Sequence, residues 1–296
     1  VTATDATATT ADVPCVRPRT LAEALAARAT HPDWLVVAGG TDLMVGALHR
    51  APPAGVIDVF GIRELQGIHR LELKVRIGAG TTYAKLLEHT LVSRVLPSLH
   101  QACAEVGAVQ IQARGTLGGN MATSSPVGDT LPCLLALDAT VVLVSATNGE
   151  RRVPYHAFCT GYRKVDLRED ELIVAVEVPE PIPGTVQVWR KVGTRKAQAI
   201  SKVMLAATGY VDAAGRISRA RVALGAVADR PLRLRAVEAL LLGQRPDEAL
   251  AARAHDAVCA AITPITDVRS TKEYRLDVAA RLVAGFVRTL EERAGP

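Results

Sequence analysis

The spacing of apolar residues changes character along this chain, and each change marks a structural unit. Thr20-Leu-Ala-Glu23 reads as a capping box, with Thr20 as N-cap and Glu23 at N3, opening a short helix through about Arg28. The apolar run Trp34-Leu-Val-Val37 stops at Gly39-Gly40, which predicts a buried strand and a tight turn; Val56 to Val59 predicts a second strand. Helix alternating with strand is the pattern of a small α/β unit. From Glu72 to Ile77 polar and apolar residues then alternate strictly, as in a half-buried antiparallel strand. A short helix follows from Thr82 to His89. Leu96, Leu99, Cys103 and Val106 recur at helical spacing, with Pro97 tolerated in a first turn. A glycine-rich loop from Gly115 to Asp129 precedes a short helix over Leu131 to Leu137, and strands are predicted at Thr140–Ser145 and Glu171–Val178.

Pro179, Pro181, Pro183 and Gly184 punctuate the chain and set the main boundary. Beyond them, strands are predicted at Val186–Lys191, Lys202–Val211 and Arg219–Gly225. Helices follow at Leu232–Leu242, closed by Gly243, then at Asp247–Ile262 and Thr271–Glu292. The expected fold class is α+β. A loose tail over residues 1–13 leads into a two-part domain over about 14–180, and a small α+β domain covers 184–296. Within the larger domain an α/β unit spans about 14–70 and an antiparallel-sheet unit about 71–180.

Composition adds limits. Of 296 residues 49% are apolar but only 3% aromatic, so aliphatic side chains and alanine must fill the core. The net charge of +5 comes mostly from scattered arginines. No basic stripe with interleaved aromatics marks a nucleic-acid surface, whereas an anionic ligand such as a dinucleotide suits this charge. The five cysteines, Cys15, Cys103, Cys133, Cys159 and Cys259, form no CxxC pair. They read as reduced, buried filler in a cytoplasmic protein, not as local ligands of zinc or an iron–sulfur cluster. No apolar leader segment opens the sequence, and the longest apolar stretch, Leu131 to Ala146, is broken by Asp138 and too short for a membrane span.

Two segments carry candidate chemistry. In Val36-Val-Ala-Gly-Gly-Thr-Asp-Leu43 a strand feeds adjacent glycines, whose backbone can approach a ligand closely and whose N–H groups can form a nest for a pyrophosphate. Taken alone, an ordinary strand-to-loop turn explains it as well. Arg114-Gly-Thr-Leu-Gly-Gly-Asn-Met-Ala-Thr-Ser-Ser-Pro-Val-Gly-Asp129 offers many hydrogen-bond donors with little bulk, and Asp129 can accept from sugar or ribityl hydroxyls. Neither is the G-x-G-x-x-G fingerprint of a nicotinamide Rossmann site, and no P-loop, nucleophile elbow or H-E-x-x-H motif occurs.

At these segments the chain resembles the FAD-binding subunits of the xanthine dehydrogenase and carbon monoxide dehydrogenase family. The matching pieces are Ala38-Gly-Gly-Thr-Asp-Leu43, and Thr116-Leu-Gly-Gly-Asn120 running on to Ser125-Pro-Val-Gly-Asp129. Gly161-Tyr-Arg-Lys164, Asp170-Glu-Leu-Ile173, Lys191 to Arg195, Ala199-Ile-Ser-Lys-Val203, Asp267-Val-Arg-Ser270 and Tyr274-Arg275 follow in the family's order. The resemblance implies that the two-part domain binds FAD. Val37, Ala38, Gly39, Gly40, Thr41, Asp42 and Leu43 would then hold the pyrophosphate. Thr116, Gly118, Gly119, Asn120, Thr123 and Asp129 would hold the ribityl and phosphate region. Ile173 would pack on the isoalloxazine, and Lys191 would lie near its polar edge.

It further implies a heterotrimer, possible pairing of heterotrimers, and an oxidoreductase role. A large subunit would carry the molybdenum–pterin cofactor and a small one two [2Fe–2S] clusters, with electrons leaving FAD for NAD+ or another acceptor. The lack of clustered cysteines counts against the 4-hydroxybenzoyl-CoA reductase branch. Thr41-Asp42, where the carbon monoxide dehydrogenase branch tends toward His-Ser, tilts the expectation to xanthine or another N-heterocycle. The cationic group Arg190, Lys191, Arg195, Lys196 and Lys202 would stabilise reduced flavin or attract the acceptor; a solvated basic face around a strand pair explains it equally well. Two alternatives stay open: a stand-alone FAD-dependent oxidoreductase, and an assembly scaffold without flavin.

Overall fold

A computed structural model describes residues 13–49, 51–196 and 198–294; the rest of the expected tail, residues 1–12, lies outside the described residues. Three main sheets follow one another along the chain. In the first, Val56–Asp58 lies between Cys15–Val16 and Leu35–Val37, all parallel. Helix Leu21–Thr30 covers it and buries Ala24 completely. The Thr20 hydroxyl accepts from the Glu23 N–H, while the Glu23 carboxylate accepts from the N–H of Arg19, one residue before the N-cap, so the expected box is made in its first half and displaced by one residue in its second.

The second sheet is antiparallel, in the order Ile68–Leu71, Lys74–Gly78, Glu171–Pro179, Thr140–Ser145, Gly149–Pro154. Glu171–Pro179 is its centre and must be apolar on both faces. Leu172 and Val174 pack toward the parallel sheet, whereas Val176 and Val178 pack toward the helices on the other side. A bulge between Ile173 and Ala175 shifts the register. The alternation over Glu72 to Ile77 is corrected here: Glu72 sits at φ +52 in a hairpin turn, and the strands are Ile68–Leu71 and Lys74–Gly78. The glycine-rich segment is also corrected. It is helical over Leu117–Thr123, preceded by helix Val109–Arg114.

The third sheet, Val186–Val192, Val203–Val211, Ile217–Gly225 and Leu232–Arg233, is antiparallel and backed by helices Arg235–Leu241, Glu248–Ala261 and Lys272–Ala294. Its helix-facing residues form one core. Trp189, Ala206 and Ala223 on its other face join the core of the second sheet instead. The mixed helix-and-sheet α+β fold is as expected from the pattern.

The Asp267-Val-Arg-Ser270 and Tyr274-Arg275 pieces meet in one clamp. Arg275 is 3% exposed, and its guanidinium donates to the carbonyls of Lys202 and Ala226 and to Asp267 at 2.6, 2.9 and 2.7 Å. Ala226 is buried and Lys202 half-buried, so losing the donor leaves their carbonyls short of a partner. Arg275→Met should therefore lower the unfolding free energy by about 2–4 kcal/mol. Chemical denaturation checks this, and an unchanged midpoint would show the clamp to be idle.

Candidate functional site

The first loop leaves the parallel sheet at Val37, whose carbonyl is taken by the N–H of Val59 at 2.8 Å. Gly40 adopts φ +74, and its carbonyl accepts from Met44 at 3.0 Å. Among the described residues, no protein group accepts from the backbone N–H groups of Gly39, Gly40, Thr41 or Asp42. Four successive donors at a turn with a left-handed residue make a nest for anionic oxygens. Gly39 is required for another reason: a Cβ there would lie 1.9 Å from the Arg114 carbonyl oxygen. The loop is thus pressed backbone to backbone against the start of the second segment. Arg163 reaches Asp42 at 3.6 Å, and Arg114 stacks over Phe60 at 4.0 Å.

The second segment uses its donors differently. Thr116 caps helix Leu117–Thr123 by accepting from Gly119 at 3.0 Å. The N–H groups of Leu117 and Gly118 go to the carbonyls of Thr81 and Ala79 at 3.1 and 2.8 Å, and Asn120 bonds the Thr116 carbonyl. The helix N-terminus is consumed by protein, so this stretch serves a ligand through side chains. Asn120 and Thr123, three residues apart and both half-buried, share one helix face. Gly118 is needed because a Cβ would sit 2.6 Å from that of Ala79. The Ala79 N–H in turn bonds the carbonyl of Val174, next to half-buried Ile173. Through these contacts the fold brings both loops and Ile173 together.

Asp129 and Lys191 meet directly. The ammonium lies 2.9 Å from Asp129 Oδ1 and donates to the Glu105 carbonyl at 3.3 Å, with its side chain 4% exposed. The Ser201 hydroxyl donates to the same Oδ1, and Trp189 Nε1 donates to the Asp129 carbonyl. The carboxylate is therefore committed to a pair within the protein, beyond the sugar-accepting part expected of it. Its pKa is pushed up to about 6, first by burial, with Lys191 and Ser201 pulling it down and Glu105 adding to the rise. Arg190 is exposed and, one residue along the strand, faces away from Lys191. Lys202 instead lies 5.1 Å from the Tyr274 ring centroid. Thr130, Tyr83 and Ser201 were not singled out as site residues; the signal available was that Ser201 lies inside one matching piece.

Cavities of about 270 and 220 Å³ open elsewhere, one beside Asp138, His156 and Arg233 and the other beside Thr81, Lys85 and His89. Residues 8–181 match the family described as the FAD binding domain in molybdopterin dehydrogenase, and residues 189–290 match the CO dehydrogenase flavoprotein C-terminal domain. The chain belongs to the FAD-binding subunits of the molybdenum hydroxylases. It is 30% identical to the xanthine dehydrogenase FAD-binding subunit of Escherichia coli O157:H7, over 94% of this chain and 96% of that one. To the nicotinate dehydrogenase FAD-subunit of Eubacterium barkeri it is 33% identical, over 76% and 78%. Its fold matches carbon monoxide dehydrogenase from Hydrogenophaga pseudoflava with a TM-score of 0.90 and 31% identity, covering 95% of this chain and 98% of that one.

As an FAD-binding subunit of this family, the chain is a component of an oxidoreductase. Its residues suit the cofactor: four unpaired N–H donors fit a pyrophosphate, and Asn120 and Thr123 fit ribityl or phosphate oxygens. The pH behaviour of Asp129 follows from its surroundings. In the native chain the acid takes its proton near pH 6, and in the unfolded chain near pH 4. Between those values the native state binds more protons, so the Asp129 contribution falls as pH rises. Relative to Asp129→Asn, the natural protein should lose about 2 kcal/mol of stability from pH 4 to pH 7. Urea unfolding at the two pH values measures this; parallel profiles would show that another group titrates.

Proposed function

We propose that this chain is the electron-transfer subunit of a heterotrimeric molybdenum hydroxylase. It takes electrons from two [2Fe–2S] clusters of a small partner and delivers them to NAD+ or another acceptor. A large molybdenum–pterin subunit oxidises the substrate, an N-heterocycle of the xanthine kind. The observation that carries this reading is the nest of free N–H groups at Gly39 to Asp42, held against the helix that presents Asn120 and Thr123. The N-heterocyclic substrates in the names of the xanthine and nicotinate dehydrogenase relatives support the substrate class, as does Thr41-Asp42 in the first loop. The free thiols of Cys15, Cys103, Cys133, Cys159 and Cys259 support a reducing compartment, the cytoplasm. No helix among the described residues is long and apolar enough to cross a membrane.

Bound FAD supplies the redox chemistry, and the protein supplies binding, orientation and electrostatics. The loop N–H groups from Gly39 to Asp42 hold the pyrophosphate. Ile173 offers an apolar side chain for the isoalloxazine to rest on. Lys191 spends two of its three N–H groups on Asp129 and Glu105, leaving one for the polar edge of the ring. The pair with Asp129 fixes the direction of that remaining donor.

An absorption spectrum of the protein purified with its partners, before and after acid precipitation, tests the reading. Flavin bands with FAD released, together with iron–sulfur absorbance and molybdenum, are expected. A colourless complex overturns the electron-transfer role in favour of a scaffold, and turnover by this chain alone with FAD would make it a stand-alone oxidoreductase. Lys191→Ala should reduce flavin content and slow reoxidation; unchanged values would remove Lys191 from the site.

A further inference from the structure

We infer that Tyr83 and Thr130 form a hydroxyl relay that fixes the Asn120 amide, so that its NH2 group faces a phosphate or ribityl oxygen of FAD. This rests on the FAD reading above. Asn120 Oδ1 accepts from the Thr130 hydroxyl at 2.7 Å. Thr130 is fully buried, and the phenol of Tyr83, which is 3% exposed, lies within reach of its hydroxyl. A threonine hydroxyl has one proton. Thr130 spends it on Asn120, which leaves its lone pairs to take the phenol proton of Tyr83 in the inferred arrangement. Burial foremost, then Cys103 and Asp129, hold the Tyr83 phenol well above its ordinary range, so that proton stays in place.

Thr130 gives up a local bond to do this. It stands at the N-cap position of helix Leu131–Ala136, where threonine ordinarily caps with its own hydroxyl. Here its backbone is helical, at φ −86 and ψ −16, and its side chain makes no cap bond. The hydroxyl points instead at a residue ten positions earlier. On the far side of the amide, a Cβ on Gly128 would lie 3.2 Å from Asn120 Nδ2, so that backbone hems the group in. Among the described residues Nδ2 donates to no protein acceptor, and Asn120 is only half-buried. With Oδ1 committed inward, what remains outward is a pair of N–H donors. They match the acceptor-only oxygens of a phosphate; the flipped amide would set oxygen against oxygen.

Tyr83 and Thr130 are therefore positioning residues acting through Asn120, and a double-mutant cycle separates that role from a structural one. The flavin-free full chain is titrated with FAD by flavin fluorescence, with melting midpoints recorded alongside. Thr130→Val should weaken FAD binding by about tenfold, and Thr130→Ser by no more than about twofold. In an Asn120→Ala background, Thr130→Val should have no further effect on affinity. Tyr83→Phe should weaken binding by about threefold, again only where Asn120 is present, and it decides the matter if Thr130→Val does not fold. Unchanged affinity, or an equal loss with and without Asn120, overturns the relay. Failure of the natural chain to bind FAD would instead overturn the FAD reading on which the relay rests.

Discussion

A backbone-on-backbone contact governs this site: Gly39 lies so close to the Arg114 carbonyl that no side chain fits between them. It joins the parallel-sheet unit to the helical segment that follows, and other close approaches continue the seam. Gly115 rests on the Tyr83 ring, where a Cβ would come within 2.9 Å of Cε2. Gly118 presses on Ala79, whose N–H is tied to the central strand at Val174. Because packing at these points is carried by main chain, small changes in side-chain volume have nowhere to go. The same contact leaves the first loop held through its carbonyls, at Val37 and Gly40, so that its N–H groups stay available.

The C-terminal unit completes the seam instead of standing apart from it. Its Trp189, Lys191 and Ser201 all bond Asp129, and Ala226 bonds the carbonyl of Pro126 at 2.9 Å. Arg275 fixes the carbonyls of both Lys202 and Ala226, so one buried guanidinium sets the two places where this unit grips the 126–129 turn. On the other flank Asp138 is shared between Arg221 and Arg233. Isolated exposed ion pairs contribute little. Arg233 is different, because it is 7% exposed and also bound to buried Glu238, whose carboxylate accepts from the Val222 N–H. These contacts make the junction directional as well as apolar.

Much of this was legible in the sequence where a local rule and the tertiary environment agree. The strand at Thr140–Ser145, the N-cap at Thr20, the helix beginning at about Asp247, and the break between Pro179 and Val186 are of that kind. The misreadings occur where the two conflict. Glu72-Leu73 continues an alternating pattern yet forms the turn, because Ile68–Leu71 folds back to pair with Lys74–Gly78 and leaves two residues to connect them. Ile68-His-Arg-Leu71 was too polar to announce itself. Glycine disfavours helices, so Leu117-Gly-Gly-Asn120 reads as a loop. The helix forms because Thr116 caps it and because only glycine fits against Ala79. Arg190 and Lys191 look like one basic patch in a string of letters, but strand geometry sends them to opposite faces. The partners of Asn120 and Asp129 had no sequence signal, since they depend on which hydroxyls the fold carries to them.

The two glycine segments, alike in composition, divide the work of binding between main chain and side chain. The first keeps its N–H groups free and is thus tuned to charge, since a nest attracts any anionic oxygen of suitable geometry. The second spends its N–H groups on Ala79, Thr81 and its own cap, and what it presents outward is the Asn120 amide and the Thr123 hydroxyl. Charge attraction gives affinity with little discrimination, whereas a positioned amide discriminates because a mismatched group leaves a polar atom unpaired. The economy of the arrangement lies in rigidity: the amide is held by a buried hydroxyl and flanked by a glycine backbone, not by a mobile charged side chain. A binding surface built this way loses little conformational freedom when its ligand arrives, so little of the interaction energy is spent on ordering the protein.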